Sequence, residues 1–282
     1  MSEWGGLIAL GIGLALLLAL AWWLLIASEG VYLGRRVVIW LYDLYAHRYN
    51  DVKDYYPEYE QLYLAEPFLD ALAPQVNPLV LDVATGTGRL PLALALHPDS
   101  RGFTIGVDLS RQMLHHAINT LHPHEGRAAF IHAPAENLPF PDHTFDAVTC
   151  LEALEFMVNP QAVLAELVRV LRPGGLLLIT QRINTRLLPG KAWDEAQMLA
   201  ALEACGVVNS DIEVWQMDYH KVWGTKAGAS DPVGARPATA VTRCPRCATV
   251  AWQIHGDEWL CETCKATYPV GSDGVLEFMQ PA

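Results

Sequence analysis

Residues 79–90 read Leu-Val-Leu-Asp-Val-Ala-Thr-Gly-Thr-Gly-Arg-Leu, a short apolar run that carries an acid and opens straight into a glycine-rich turn. A second apolar run, 103–108, ends in another acid, Asp108. Few folds suit this pairing, because it is how an open α/β sheet grips a nucleoside. Glycines let the backbone approach the ligand, and the second acid accepts hydrogen bonds from the ribose hydroxyls. A dinucleotide site needs G-x-G-x-x-G, whose third glycine packs helix on strand. Here Gly86-x-Gly88 is followed by Pro91 where that glycine would stand. The spacing argues against NAD.

The rest of the chain supplies a sheet around this turn. Strands are expected at 78–84, 103–108, 128–132, 144–150 and 175–181, with helices at 88–96, 110–121 and 161–171. Strands separated by helical crossovers imply a parallel sheet covered on both faces, so the fold class is α/β and Rossmann-like. Ser110 suits an N-cap, and Pro173-Gly174-Gly175 ends a helix before the fifth strand. A helix near 193–204 precedes two runs, 212–216 and 219–223, close enough to form a hairpin. Upstream, 30–50 reads as an amphipathic helix rich in tyrosine, and 58–72 as another helix that ends before Pro74. Small residues and proline dominate 224–243 without periodicity. That composition predicts a linker at 227–243, between a domain at 30–226 and a tail at 244–282.

Residues 4–27 carry no charge and are rich in Leu, Ala, Ile and Trp, within a chain that is 52% apolar. They span roughly 36 Å as a helix, enough to cross a hydrocarbon core of about 30 Å. A cleaved signal peptide would start with a basic region, whereas this chain starts Met-Ser-Glu, so a retained single-pass helix is expected. Arg35, Arg36, Arg48 and Lys53 all follow the segment. Their placement puts the bulk of the chain in the cytoplasm. A net charge of −12 without a Lys/Arg cluster argues against a nucleic-acid partner.

Five segments, in order over about 40–226 and including the glycine turn, resemble the class I S-adenosylmethionine-dependent methyltransferases. They are Asp82-x-Ala84-x-Gly86-x-Gly88, Gly106-Val-Asp-Leu-Ser110, Ala135-Glu-Asn-Leu-Pro-Phe-Pro-Asp142, Phe145-Asp146 and Arg169-Val-Leu-Arg-Pro-Gly-Gly175. The Asp-Val-Ala-Thr-Gly-Thr-Gly variant is similar to the methyltransferases of ubiquinone and menaquinone biosynthesis. Ala84 replaces the family's first glycine, which is tolerable if that position does not need φ > 0. The resemblance implies S-adenosylmethionine as cofactor, with Ala84, Gly86 and Gly88 beside its methionine and ribose. Asp82 would hold the turn or meet the amino group, and Asp108 would take the ribose hydroxyls. Ala135 and Glu136 fall at the adenine edge, where the family's preceding acid is Pro134 here. Asp146 is expected to be structural, and Leu151 and Glu152 to border the methyl group. The phrase at 40–51 resembles the family's leading helix, in which a Y-D-x-x-A-x-x-Y segment folds over the cofactor. A general base is needed only if the acceptor must lose a proton. Candidates are Glu152, Glu155, Tyr42 and His220, with His115 and His116 on the second helix.

The tail carries Cys244-x₂-Cys247-x₁₃-Cys261-x₂-Cys264. Two such knuckles place four thiolates around Zn²⁺, while the alternative of two disulfides suits a reducing cytoplasm poorly. Zinc would be structural, since four thiolates leave no open position. Cys150 and Cys205 stand apart and read as ordinary buried residues. The second knuckle, with Tyr268-Pro-Val270 and Asp273-Gly-Val275, resembles the small zinc-ribbon activators of tRNA and release-factor methyltransferases. Such a module would dock in cis or bind another protein.

These readings predict a membrane-anchored methyltransferase acting on a small lipophilic acceptor. Two other functions stay open: an inactive cofactor-fold scaffold, and a protein or tRNA methyltransferase with a fused activator. Against the last, Cys150-Leu-Glu-Ala153 stands where an N-P-P-Y-type tetrapeptide would.

Overall fold

The computed structural model describes residues 3–53, 55–186 and 188–279. Its central sheet contains β1 (Leu79–Val83), β2 (Phe103–Asp108), β3 (Ala128–His132), β4 (Phe145–Cys150), β5 (Leu171–Arg182), β6 (Val207–Val214) and β7 (Tyr219–Lys226). The first five run parallel in the order β3-β2-β1-β4-β5, and β7 pairs antiparallel with β5 and with β6. Every residue of β1 and β4 is buried, and apart from Asp82, Asp146 and Thr149 both strands are apolar. The expected closing hairpin is present, with β6 beginning at Val207, and β5 begins at Leu171, ahead of the Pro-Gly-Gly run.

The helices of seven or more residues are α1 (Glu3–Trp22), α2 (Arg35–Tyr45), α3 (Glu66–Leu72), α4 (Arg89–Leu96), α5 (Arg111–Leu121), α6 (Pro160–Val170) and α7 (Glu195–Ala204). Ser110 caps α5 by accepting from the Met113 N–H. The helix expected at 58–72 is interrupted by a π turn, Gln61–Ala65, ahead of α3. With its own π turn, α1 makes Trp4–Ala27 long and apolar enough to cross a membrane, and its most apolar stretch is not buried in the protein. The foot of this helix is seated on the domain. Trp23 and Tyr32 stack at 5.0 Å, and the Tyr32 hydroxyl donates to the Pro189 carbonyl at 2.8 Å.

Residues 227–243, expected as a linker, are strapped to the sheet. Asp146 is fully buried in β4 and accepts from the Val233, Gly234 and Leu79 N–H groups and from Arg172 Nε, all at 2.8–2.9 Å. Burial raises the Asp146 pKa, but these donors outweigh it and hold the carboxyl below its ordinary range. The strap buries Ala238 and Val241 in the main core, and the buried carboxylate supplies partners for its backbone.

The tail forms a small antiparallel sheet of β8 (Trp252–His255), β9 (Glu258–Cys261) and β10 (Thr267–Pro269). Strand β11 (Leu276–Glu277) then leaves it and adds to β3 in parallel, completing an eight-stranded sheet. The ribbon is therefore docked in cis, and its buried Trp259, Tyr268 and Phe278 belong to the same apolar core as β1 and β4. Two ion pairs and a histidine hydrogen bond fix the joint: Arg111 Nη2 to Asp273 at 2.6 Å, Arg111 Nε to Glu277, and His132 Nδ1 with Glu277 at 2.7 Å. Covering the β3 edge removes a row of unpaired backbone groups from water.

Candidate active site

A cleft of about 830 Å³, counting its open mouth, lies at the carboxyl ends of the parallel strands, where open α/β sheets bind ligands. Each loop contributes: Ala84 and Gly86 after β1, Asp108 at the end of β2, Ala135 and Glu136 after β3, Leu151 and Glu152 after β4. The Asp108 carboxylate accepts from the Gly86 and Ser110 N–H groups, each at 2.8 Å. Burial pushes its pKa up against those donors. Gly86 sits at φ +55, and nothing lies within 4 Å of where its Cβ would stand. That empty volume gives a ligand room against bare backbone.

Gly88 has a different place. It caps α4 at φ +79, and a Cβ there would lie 3.1 Å from the Ala117 Cβ on α5. It brings two helices together and does not line the cleft. Asp82 lines an adjoining recess with Thr87 and Arg89, and accepts from the Thr85 and Thr149 hydroxyls at 2.6 Å each. Burial pushes its carboxyl up to about 6.

Ala84 sits at φ +55, so its position does require the left-handed region. Such a conformation costs an L-residue roughly 1–2 kcal/mol. Glycine would remove that cost while adding unfolded-chain entropy of comparable size. Ala84→Gly is therefore expected to leave urea stability unchanged or raise it by up to about 1 kcal/mol, and the β-branched Ala84→Val to lower it by more than about 1 kcal/mol. Loss of stability in the glycine variant would contradict the assignment of strain.

The segment after α1 closes over the glycine turn. Asp43 accepts from the Ser110 hydroxyl and from the Gln112 N–H at the start of α5, where the helix dipole favours an anion. Asn50 accepts from the Thr87 hydroxyl. These anchors place Tyr42 and Tyr49 in the cleft wall, their ring centroids 5.9 Å apart. Across the mouth, Arg35 reaches Glu136 at 3.3 Å.

The candidate bases separate by position. Glu152, at φ +52, is buried and accepts from Arg89 Nη1 at 2.7 Å and Lys53 Nζ at 3.3 Å. The Tyr42 hydroxyl donates to Glu29 at 2.7 Å, and burial holds its pKa well above the ordinary value, so it keeps its proton. Glu155 lies outside the cleft, buried against Tyr219 and 3.5 Å from Arg182. His220 lies on β7 away from the cleft, and His115 pairs with Asp273 of the tail at 2.9 Å. Two site residues escape a reading by residue type. Tyr49 is signalled only as the second tyrosine of the leading phrase. Arg89 is sandwiched by Tyr55 and Trp215 at 4.1 and 4.6 Å and also binds Glu60, and nothing in the sequence marks it.

In the ribbon, the sulfurs of Cys244, Cys247, Cys261 and Cys264 all lie within 4.8 Å of one another. The pairs 244–264 and 247–261 are 3.6 and 3.5 Å apart. A tetrahedral Zn–S₄ site with bonds of about 2.3 Å has sulfurs about 3.8 Å apart, so the arrangement fits. Cys150 is buried and free, and Cys205 is half-buried and free.

Residues 81–179 match a family model described as a methyltransferase domain. The chain is 40% identical over 111 residues to a demethylmenaquinone methyltransferase of Clavibacter sepedonicus, a match covering 39% of this chain and 44% of that protein. It is 41% identical over 103 residues to the ubiquinone/menaquinone biosynthesis C-methyltransferase UbiE of Syntrophotalea carbinolica, covering 36% and 43%. The chain thus spans less than half the length of these curated relatives. A SAM-dependent methyltransferase from Aquifex aeolicus shares the fold, with TM-score 0.51 and 21% identity over 60% of this chain and 93% of that one. Matched segment and sheet order agree: residues 81–179 match a methyltransferase domain, and they lie in the Rossmann-like sheet that the Aquifex aeolicus structure shares.

Proposed function

We propose that the chain transfers a methyl group from S-adenosylmethionine to a small lipophilic acceptor at a cytoplasmic membrane surface. One observation carries this reading: Asp108 is held by two backbone N–H groups beside the open space at Gly86, in a cleft of nucleoside size. When bound, S-adenosylmethionine supplies a methyl on a sulfonium already activated for displacement. The protein's own task is alignment and exclusion of water. Asp108 takes the two ribose hydroxyls, a bidentate role suited to a carboxylate. Ala135 and Glu136 border the adenine. Arg89 and Lys53 neutralise Glu152, which favours a positioning role for it over proton abstraction. The relatives' named quinone substrates and the apolar Trp4–Ala27 segment support a lipophilic acceptor. The four cysteines would hold a structural zinc.

Purified full chain incubated with methyl-labelled cofactor and membrane lipid extract is expected to put label in the organic phase. Label confined to water-soluble acceptors would remove the lipid clause. Cofactor binding without any transfer would favour the scaffold function.

Asp82 adds a pH dependence. With its carboxyl near 6, it is ionised at pH 7.5 and largely protonated at pH 5. A cationic amino group prefers the ionised form, so cofactor affinity is full above about pH 7, roughly halved near pH 6 and about tenfold lower by pH 5. Calorimetry across that range checks it, and Asp82→Asn should flatten the profile.

A further inference from the structure

A second pocket, about 700 Å³ with its open side, lies between the foot of α1 and the segment that closes the cleft. Leu25 and Ile26, the last turn of the apolar segment, form one wall, and Leu41, Tyr45 and Val52 face them. Its inner wall is Tyr42 and Tyr49, the same rings that line the cofactor cleft. Tyr49 also lines the recess that holds Asp82 and Glu152, so one side chain borders all three spaces. Lys53 stands at the junction, with its Nζ 3.3 Å from the Glu152 carboxylate.

We infer that this pocket binds the acceptor, and that the acceptor is an amphiphile with a long apolar chain and a small oxygen-bearing head, loaded sideways from the bilayer. The inference rests on the methyltransferase reading above. Three features select this occupant. The rim is apolar yet open, with Val52 66% and Ile26 49% exposed, a costly surface to present to water. The rim is continuous with a segment of bilayer length, so an apolar chain can remain in hydrocarbon while its head turns inward. The inner end changes character to two aromatic rings, the Lys53 ammonium and the Glu29 carboxylate that accepts from Tyr42, which suit a compact head bearing a hydroxyl or carbonyl oxygen. A water-soluble acceptor would use neither the apolar rim nor its place at the helix foot.

A long-chain alkylphenol carrying a diazirine, added to the full chain in lipid nanodiscs and irradiated, tests this directly. Peptide mapping is expected to find label at 25–26 and 41–52 that excess unlabelled alkylphenol displaces. Label along the lipid-facing surface of 7–20 should not be displaced. Val52→Trp and Ile26→Trp fill the pocket from opposite walls. Each should cut the displaceable label about tenfold with a melting curve like that of the unsubstituted chain. Undisplaceable label alone, or undiminished label in both well-folded variants, overturns the inference. Cofactor calorimetry on the same nanodiscs separates the two claims. Heat of binding without pocket label sinks this inference alone, whereas absent heat sinks the methyltransferase reading and the acceptor role with it.

Discussion

Asp108→Asn is expected to weaken S-adenosylmethionine binding by about a hundredfold while lowering the melting temperature by roughly 2–10 °C. The asparagine keeps the shape of the carboxylate and one oxygen for either Gly86 or Ser110. Its amide nitrogen then faces the other N–H group, a donor against a donor. It also loses the charge that strengthens hydrogen bonds from the ribose, each worth roughly 1.5–3 kcal/mol when charge-assisted. Losing both on the ligand side accounts for about 3 kcal/mol. Filter binding with labelled cofactor, paired with a thermal melt, distinguishes this from a purely structural role. A structural role would lower the melting temperature and leave the affinity of the folded fraction alone.

Chelation of the four-cysteine cluster should have the largest effect on stability. Structural zinc contributes on the order of 10 kcal/mol to folding in small thiolate modules, and a tail of this size cannot replace that from its own core. The expected result is loss of the ribbon's aromatic cluster, in which Trp252 packs on Trp259, Tyr268 and Phe278 at 5.4, 5.8 and 6.1 Å. Tryptophan emission should shift to the red as that cluster opens. Because β11 is the edge strand beside β3, its release also uncovers a strand edge, and sedimentation should show association. Cys261→Ser should reproduce both changes without chelator. Unchanged emission and an unchanged melt after chelation would mean that the ribbon folds without metal.

The glycine turn, the second acid and the alternation of strands were legible because each obeys a local rule: backbone approach, a carboxylate at a strand end, mostly apolar runs in buried strands. The cleft's membership follows from them, since loops after successive parallel strands must converge at one end of the sheet. What stayed hidden depends on tertiary partners. Gly88 looks like a ligand-facing glycine, yet its contact is Ala117, a residue on another helix. The strap at 227–243 has the composition of a free linker and is ordered by tertiary partners: a buried carboxylate 87 positions away from Val233 and the core that takes Ala238 and Val241. Strand β11 spans two residues, too short for any periodic signal, and partners distant in sequence hold it: the Arg111 and His132 contacts across the joint and the cores that take Val275, Leu276 and Phe278. Left-handed backbone at Ala84 is a property of the turn and not of the residue type, so the substituted glycine gave no sign of it.

The most direct test is a calorimetric titration of the unsubstituted full chain with S-adenosylmethionine. A cleft built as described should give saturable heat, about one site per chain and a dissociation constant of roughly micromolar size. No heat and no thermal shift, even at about millimolar cofactor, would contradict the account.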